Sequence, residues 1–420
     1  MLRAFGILVQ SAMKLFDSIR LQNFLSFGSE GVTLPLQSLN VLIGTNGSGK
    51  SNLIEAFRIL QAAPIDISSP FRNTGTIDDW LWKGKRQRKD APPTATVDAV
   101  LTYPRGDKPL CYTYSFTSNN NRRELVDEVV ANTQTSPERS KKFFQYRHSG
   151  GLPMIWVAEL PQETLTAPQL PARYRILNRE TFNTDQSILF QIKDPVLYPE
   201  LNYLSTTLPR IRIYTEWSKG RYAAFRQPQD TDLPGDFLSE DFANLPLVVN
   251  YLDSHEPDAM VDIMETFGRF YEGIESIKTS VQAHTIQLFL KEKGFASIPA
   301  TRLSDGTLNF LCLCVLLLHP KPPPLIILDE PELGLHPDII TLLGEMLIKA
   351  SERTQLIVTT HSVGLIDAIG ETSPESVVVC ERHTEGTSLE RLSADAMKEW
   401  LGRYSLGELW TKGEIGGNRW

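Results

Sequence analysis

The sequence has little cysteine, no surplus of positive charge and no long apolar run. Its four cysteines among 420 residues, Cys111, Cys312, Cys314 and Cys380, are scattered and lack zinc-ligand spacing. That excludes a disulfide-built secreted scaffold and points to a reduced, cytoplasmic interior. The longest apolar stretches, near Leu308–Leu318 and Leu325–Leu328, are too short for a membrane helix, so no membrane partner is expected. A formal net charge of −8 argues against coating nucleic acid over the whole surface, but leaves room for one basic patch. Internal repeats and sustained heptads are missing, which excludes a solenoid and a long coiled coil. Residues 1–13 read as a flexible extension or an upstream start: Met1 to Ala12 carries one Arg and an apolar run, a weak likeness to a signal peptide, whereas Met13-Lys14-Leu15-Phe16 reads as a natural start for the first strand.

Present instead is the composition of a globular protein, 41% hydrophobic and 22% charged, with a length that implies two or three lobes. The chain is organised around Gly44-Thr45-Asn46-Gly47-Ser48-Gly49-Lys50-Ser51, which fits the phosphate-cradling pattern G-x-x-x-x-G-K-[ST]. Leu39–Ile43 before it is a short apolar run, as a buried strand requires. From Asn52 to Leu60 apolar residues recur at helical spacing. Glycines let backbone N–H groups turn inward around phosphate oxygens, and the helix start adds the positive end of its dipole. Lys50 can reach the β- and γ-phosphates of a nucleotide, and the Ser51 hydroxyl can ligate Mg²⁺. A glycine-rich turn that binds nothing is disfavoured, because spacing and both flanks agree.

Around this stretch, Phe16–Phe24 and Gly31–Leu36 read as a hairpin. Thr94–Tyr103, Pro109–Phe116 and Glu124–Val130 read as an antiparallel sheet, extended by Lys142–Arg147 and Leu152–Ala158. Leu160–Arg179 is Pro-rich and irregular, Ser187–Leu208 partly helical, Ile211–Trp217 a strand, and Gln227–Glu240 an exposed loop. Two helices, Asn244–Leu252 and Asp258–Tyr271, precede two strands, Ile274–Val281 and Thr285–Glu292. From Ser304 onward helices and strands alternate: Gly306–Leu318, Leu325–Leu328, Pro337–Ser351, Gln355–Thr359, Val363–Ile369 and Ser376–Cys380. Such alternation predicts a mostly parallel α/β sheet.

The Leu325–Leu328 strand ends in Asp329-Glu330. A buried strand ending in carboxylates places them at the edge where open α/β sheets bind ligands. Asp329 would hold Mg²⁺ and Glu330 would orient or deprotonate the attacking water. Ser304, in Leu303-Ser304-Asp305-Gly306-Thr307, is a good helix N-cap, and Gly306 allows close approach. A neutral His361, after Thr359-Thr360, can hydrogen-bond a γ-phosphate.

Together these motifs resemble the ATP-binding-cassette ATPases of the SMC, RecF and OLD-like branch, often called AAA-type family ATPases. Leu303–Thr307 is similar to that family's signature, Leu325–Glu330 to its Walker B, Glu332–Pro337 to its D-loop and His361 to its switch histidine. Asn23-Phe24-Leu25-Ser26-Phe27 resembles the element lying near the nucleotide in SMC-like heads. The resemblance implies an α/β P-loop NTPase fold of ABC-ATPase type, with a mostly parallel core sheet, an antiparallel N-terminal sheet and a helical or mixed insertion. It divides the chain into ATPase lobes at 14–160 and 301–420 and an inserted lobe at 161–300. It implies ATP and Mg²⁺ as cofactors, bound by Gly44 to Asn52, with Glu330 and His361 catalytic and Asp329 and Ser51 on the metal. Gln186 is the candidate Q-loop metal ligand, with Gln145 second. It also implies a homodimer in which Ser304 and Gly306 of one copy complete the nucleotide site of the other. The signature departs from the transporter pattern at Asp305, a usual change in this branch. Neither a coiled coil nor room for a nuclease domain is found.

Two readings of the task stay open. In one, the ATPase handles DNA or RNA in repair or antiphage defence. Lys83, Lys85, Arg86, Arg88 and Lys89 beside Trp80 and Trp82 would then contact phosphates and stack on bases; the alternative for that run is a solvated loop with two anchoring tryptophans. In the other, nucleotide controls a separately encoded effector protein, for which the tail Gly413–Trp420 is a candidate dock unless it is a frayed terminus. A transporter ATPase is disfavoured by the SMC-like N-terminus and the large middle insertion.

Overall fold

The computed structural model describes residues 14–72, 74–84, 93–132, 144–149, 152–156, 174–177, 182–183, 185–217 and 219–416. The chain enters through an antiparallel hairpin, β1 (Phe16–Gln22) and β2 (Val32–Pro35). It then passes into β3 (Leu39–Ile43), whose five residues are all buried, and α1 (Lys50–Ala62). A meander follows: β4 (Ala95–Leu101), β5 (Leu110–Asn119), β6 (Arg122–Asn132), β7 (Phe144–Ser149), β8 (Leu152–Trp156) and β9 (Tyr174–Ile176). With the first hairpin it forms one antiparallel sheet in the order β2-β1-β4-β5-β6-β7-β8-β9. In β4, Ala95, Val97, Ala99 and Leu101 are buried and their neighbours are not, the alternation of a sheet with one covered face. That face rests on α1 through Leu53, Ile54, Phe57 and Leu60.

Next come α2 (Ile188–Gln191), α3 (Pro199–Thr207), β10 (Arg212–Tyr214), β11 (Gln229–Asp230), α4 (Leu245–His255), α5 (Pro257–Gly268), β12 (Ile274–Gln282), β13 (Thr285–Glu292) and β14 (Ile298–Pro299). β11, β13 and β12 form a small antiparallel sheet, with β14 also on β13. The loop expected at Gln227–Glu240 thus contributes a strand, and its end is anchored: Leu238 is buried and the Glu240 carboxylate accepts from the Ile213 N–H.

The last third runs α6 (Asp305–Leu317), β15 (Leu325–Asp329), α7 (Ile340–Ser351), β16 (Gln355–Thr359), α8 (Val363–Gly370), β17 (Val377–His383), β18 (Gly386–Arg391), α9 (Ala394–Leu401) and α10 (Leu406–Thr411). The expected alternation is present. After Cys380, the hairpin to β18 and two further helices were not anticipated from the sequence. The core sheet has the order β10-β15-β16-β3-β17-β18, parallel except at β18. Segments far apart in sequence therefore build one sheet, with β3 between β16 and β17. Its strands feed two cores alternately. Ile326 and Leu328 face the helices α4 to α8, while Leu325 and Ile327 face α1 and the antiparallel sheet. Burial on both faces explains why these strands read as continuous apolar runs.

Among the described residues no helix is long and apolar enough to cross a membrane. Residues 1–13, the basic positions Lys85, Arg86, Arg88 and Lys89, and the terminal Trp420 lie outside the described residues, as does the lobe boundary read at 160 and 161.

Candidate active site

The phosphate loop leaves β3 at Ile43 and ends at Gly49, which precedes α1 with φ 109° and offers no side-chain cap. The first turn of α1 contains no acidic residue. Its N-terminal N–H groups are therefore left for an anion. Two glycines are required by their surroundings. A Cβ at Gly44 would lie 2.3 Å from the Cys380 carbonyl, and one at Gly49 would lie 2.5 Å from Thr387 Oγ1. Asn46 and Gly47 form the exposed tip, and Ser51 is exposed at the helix start. Lys50 Nζ donates to the carbonyls of Gly44 at 2.8 Å and Thr45 at 3.1 Å. Burial lowers its pKa from the ordinary lysine value, opposed by Glu330 and Asp329. Ser48 Oγ is buried with no hydrogen-bond partner. An uncapped helix start, an orphaned hydroxyl and an ammonium resting on its own loop fit a bound phosphate chain.

Sheet order assembles the rest. β16 lies between β15 and β3, with Asp329 opposite Thr359 and Thr359 opposite Leu42. Walker B, the His361 turn and the phosphate loop thus emerge side by side from one edge. The Thr359 hydroxyl donates to Asp329 Oδ1. The Glu330 N–H reaches Thr359 O and Oγ1, both at 3.1 Å. Glu330 itself has φ 49°, a left-handed conformation that a non-glycine residue holds at a cost and that is common at functional sites. His361 Nε2 lies 3.5 Å from Glu330 Oε1. Burial, then the charge of Lys50, lowers the His361 pKa, while Glu330 and Asp329 oppose the shift. The ring is therefore neutral at neutral pH and can donate from one nitrogen.

Several supporting residues escaped the sequence reading. The Glu332 carboxylate accepts from Thr360 Oγ1 at 2.6 Å and from the His361 N–H at 3.0 Å, fixing the turn that presents the imidazole. Thr387 on β18 donates to Ser26 Oγ at 2.8 Å and to the Ser48 carbonyl at 2.9 Å, tying the N-terminal element and the last hairpin to the back of the phosphate loop. Trp217 Nε1 donates to the Asp329 carbonyl at 2.8 Å. β10 ends at Tyr214 beside β15, so the chain leaving it meets Asp329, a pairing that no sequence signal announced. Next to Asn52 opens a cleft of about 560 Å³ lined by Leu25, Ser26, Trp82, Lys83, Arg382 and His383 among others.

Gln186 is placed differently from the other candidates. Its backbone neighbours are tied to the antiparallel sheet, Asp185 O to Arg123 and Ser187 Oγ to Glu128. Its Oε1 is buried with no hydrogen-bond partner. The second candidate, Gln145, points to Glu200 at 3.3 Å. Trp217, by contrast, touches the Walker B segment through Asp329 O. Ser304 and Gly306 make their contacts locally. Ser304 is exposed and caps α6, accepting from the Thr307 N–H at 3.1 Å, and a Cβ at Gly306 would meet the Gly334 carbonyl at 2.8 Å. Trp80 and Trp82 are both buried, Trp80 against Phe71 and Phe24, which favours the anchoring reading of the basic run over exposed stacking platforms. Lys83 pairs with Asp79.

A family model for "AAA domain, putative AbiEii toxin, Type IV TA system" matches residues 39–154 and 157–367. The chain belongs to this family. It is an ATPase of the AAA family, and the mixed α/β P-loop NTPase fold agrees with the resemblance to SMC-like heads. Among solved structures, the crystal structure of an Smc head bound to the C-terminal winged-helix domain of ScpA is similar, with a TM-score of 0.55, 14% identity, and coverage of 91% of this chain and 99% of that one. An Smc head domain with an extended coiled coil, bound to the C-terminal domain of ScpA from Pyrococcus furiosus, matches with a TM-score of 0.53, 14% identity, and coverage of 92% and 98%. At this identity the likeness is one of fold. No curated protein matches the chain significantly.

Proposed function

We propose that this ATPase hydrolyses the β–γ bond of ATP with Mg²⁺ at the Lys50–Glu330–His361 cluster, and that two copies close head to head around the nucleotide. The donor set suits the metal: Mg²⁺ takes one or two protein oxygens and completes its shell with phosphate and water, and Asp329 and Ser51 supply a carboxylate and a hydroxyl. When bound, the ion neutralises charge on the β- and γ-phosphates. Lys50 exchanges the Gly44 and Thr45 carbonyls for phosphate oxygens. Glu330 orients a water and accepts its proton, while His361 donates to the γ-phosphate. The cleft beside Asn52 takes the nucleoside. Ser304 and Gly306 of the second copy supply the helix start that completes the cage. Gln186 is retained as a metal ligand only through a movement that brings its orphaned Oε1 to the site.

The observation that carries this reading is the strained Glu330, 3.5 Å from His361 on an edge shared with Lys50. Glu330→Gln tests it. A general base contributes about 10²–10⁴-fold, so turnover should fall by that order while ATP binding persists. Turnover at the wild-type rate would remove Glu330 from the role.

The family's description, a putative AbiEii toxin of a type IV toxin–antitoxin system, supports a defence task, served by ATP-gated closure on DNA or RNA. The burial of Trp80 and Trp82 favours a second reading, control of a separately encoded effector protein. ATPase assays with DNA across salt concentrations separate them. Stimulation that weakens with salt supports a nucleic-acid task; a rate indifferent to DNA supports the effector reading.

A further inference from the structure

We infer that Arg226 and Asp305 form a clamp that sets the signature turn for the opposite nucleotide site, so that Arg226 is a positioning residue acting in trans. The inference rests on the shared-site reading above. Arg226 follows β10 in the inserted region and is only 5% exposed. One guanidinium nitrogen donates to the Ala300 carbonyl at 3.1 Å and also to the Leu303 carbonyl, the residue before Ser304. The other pairs with Asp305 Oδ1. Asp305 Oδ2 accepts from the Gly220 N–H at 3.0 Å. The turn that precedes α6 is thus held on both sides of Ser304 by one side chain.

Two physical arguments give the clamp a role. The first is electrostatic. Asp305 stands in the first turn of a helix whose N-terminus is to face a triphosphate, and a bare carboxylate there would repel it. The Arg226 guanidinium and the Gly220 N–H absorb that charge, and the same contacts hold the Asp305 carboxyl below its ordinary pKa. The second is mechanical. Along α6 every side chain from Thr307 to Leu317 is buried, so the helix is a fixed rod and its exposed start has freedom only in the turn that Arg226 grips. The planar guanidinium suits the site because its two terminal nitrogens serve the backbone carbonyls and the Asp305 carboxylate at once, a fixed bidentate geometry a lysine ammonium does not offer. Connected to the same segment are two ties to the chain's own site: Arg58 of α1 donates to Thr215 Oγ1 at 2.6 Å, and Trp217 donates to Asp329 O. A role in cis is therefore the competing possibility.

Complementation in the full-length chain decides between them. Arg226→Lys alone should lower turnover by about tenfold, the worth of one charge-assisted hydrogen bond, with unchanged ATP affinity in a direct titration. Mixed with Lys50→Ala subunits it should regain activity above either variant alone, because one composite site joins an intact phosphate loop to an intact signature. Thermal melts verify folding, and Asp305→Asn replaces Arg226→Lys in the same mixture if the lysine variant is unfolded. The control mixture is Lys50→Ala with Ser304→Arg. Recovery in the control with none for the clamp variant overturns the trans assignment alone. Absence of recovery in the control, with heterodimers present, overturns the shared-site reading on which it stands. Weakened ATP binding by Arg226→Lys also contradicts the inference.

Discussion

The starts of two helices of this chain, α1 and α6, are prepared in opposite ways. α1 starts at Lys50 with no side-chain cap and no acid in its first turn, so its N–H groups and dipole are open to an anion. α6 starts at Asp305 with Ser304 as cap and a carboxylate in the first turn, and that carboxylate is neutralised by a buried arginine. The first helix leaves its N-terminal N–H groups without a side-chain cap or an acid of its own. The second carries its own cap and counter-charge and is exposed at Ser304, the arrangement expected of a surface that meets a nucleotide held elsewhere. Under the proposed function, binding and closure separate: α1 would govern whether ATP is held, and α6 whether two heads join over it.

The largest expected effect breaks the comparison at α1. Lys50→Ala should weaken ATP affinity by about 10–100-fold, from the loss of charge-assisted hydrogen bonds of about 1.5–3 kcal/mol; retained affinity in a calorimetric titration would count against the cradle. Breaking it at α6 should look different. Ser304→Arg is expected to leave the ATP affinity of a single subunit intact and to abolish most turnover. A parallel loss of affinity would show that α6 serves its own chain.

A smaller effect is expected in the pH profile. His361 has its pKa lowered from 6.5, so the neutral ring persists below the ordinary histidine range. The acid limb of kcat/KM should therefore fall below pH 6.5, and His361→Gln should remove it. The stability sign agrees: a depressed folded value means that the contribution of the neutral ring is full above the unfolded pKa and is lost as pH falls through the folded one. A limb lying above 6.5 would refute the electrostatic assignment. The smallest effect concerns Trp217. Trp217→Phe keeps the stack on Phe242, whose ring centroid is 5.4 Å away, and removes only the bond to Asp329 O. About 0.5–1.5 kcal/mol is at stake, so turnover should drop by a few-fold with little change in melting temperature. An unchanged rate would reduce Trp217 to a packing residue.

Local chemistry was legible in the sequence where a motif reports its own geometry. A buried strand, glycine turn and helix give Lys50 its place, and a buried strand ending in acids gives Asp329 and Glu330 theirs. What depended on sheet order was not legible. Trp217 meets a carbonyl 112 positions further along the chain, and Thr387 meets Ser48 across 339. No local pattern encodes that β10 lies beside β15 or that β18 closes the far edge. Gln186 was selected for its residue type, while the position beside Walker B is fixed by a three-residue strand, β10. The tryptophans near the basic run were ambiguous for a different reason. An aromatic beside charges reads equally as a stacking platform or an anchor, and burial decides for the anchor at Trp80 and Trp82.

The central claim is that ATP held at α1 recruits α6 of a second copy. Sedimentation of the Glu330→Gln chain tests it most directly, because this variant binds ATP without consuming it. With Mg²⁺ and ATP the expected result is a shift from monomer to dimer, absent with ADP and absent in a Glu330→Gln chain that also carries Ser304→Arg. A monomer at ATP concentrations shown by titration to saturate the site would contradict the account.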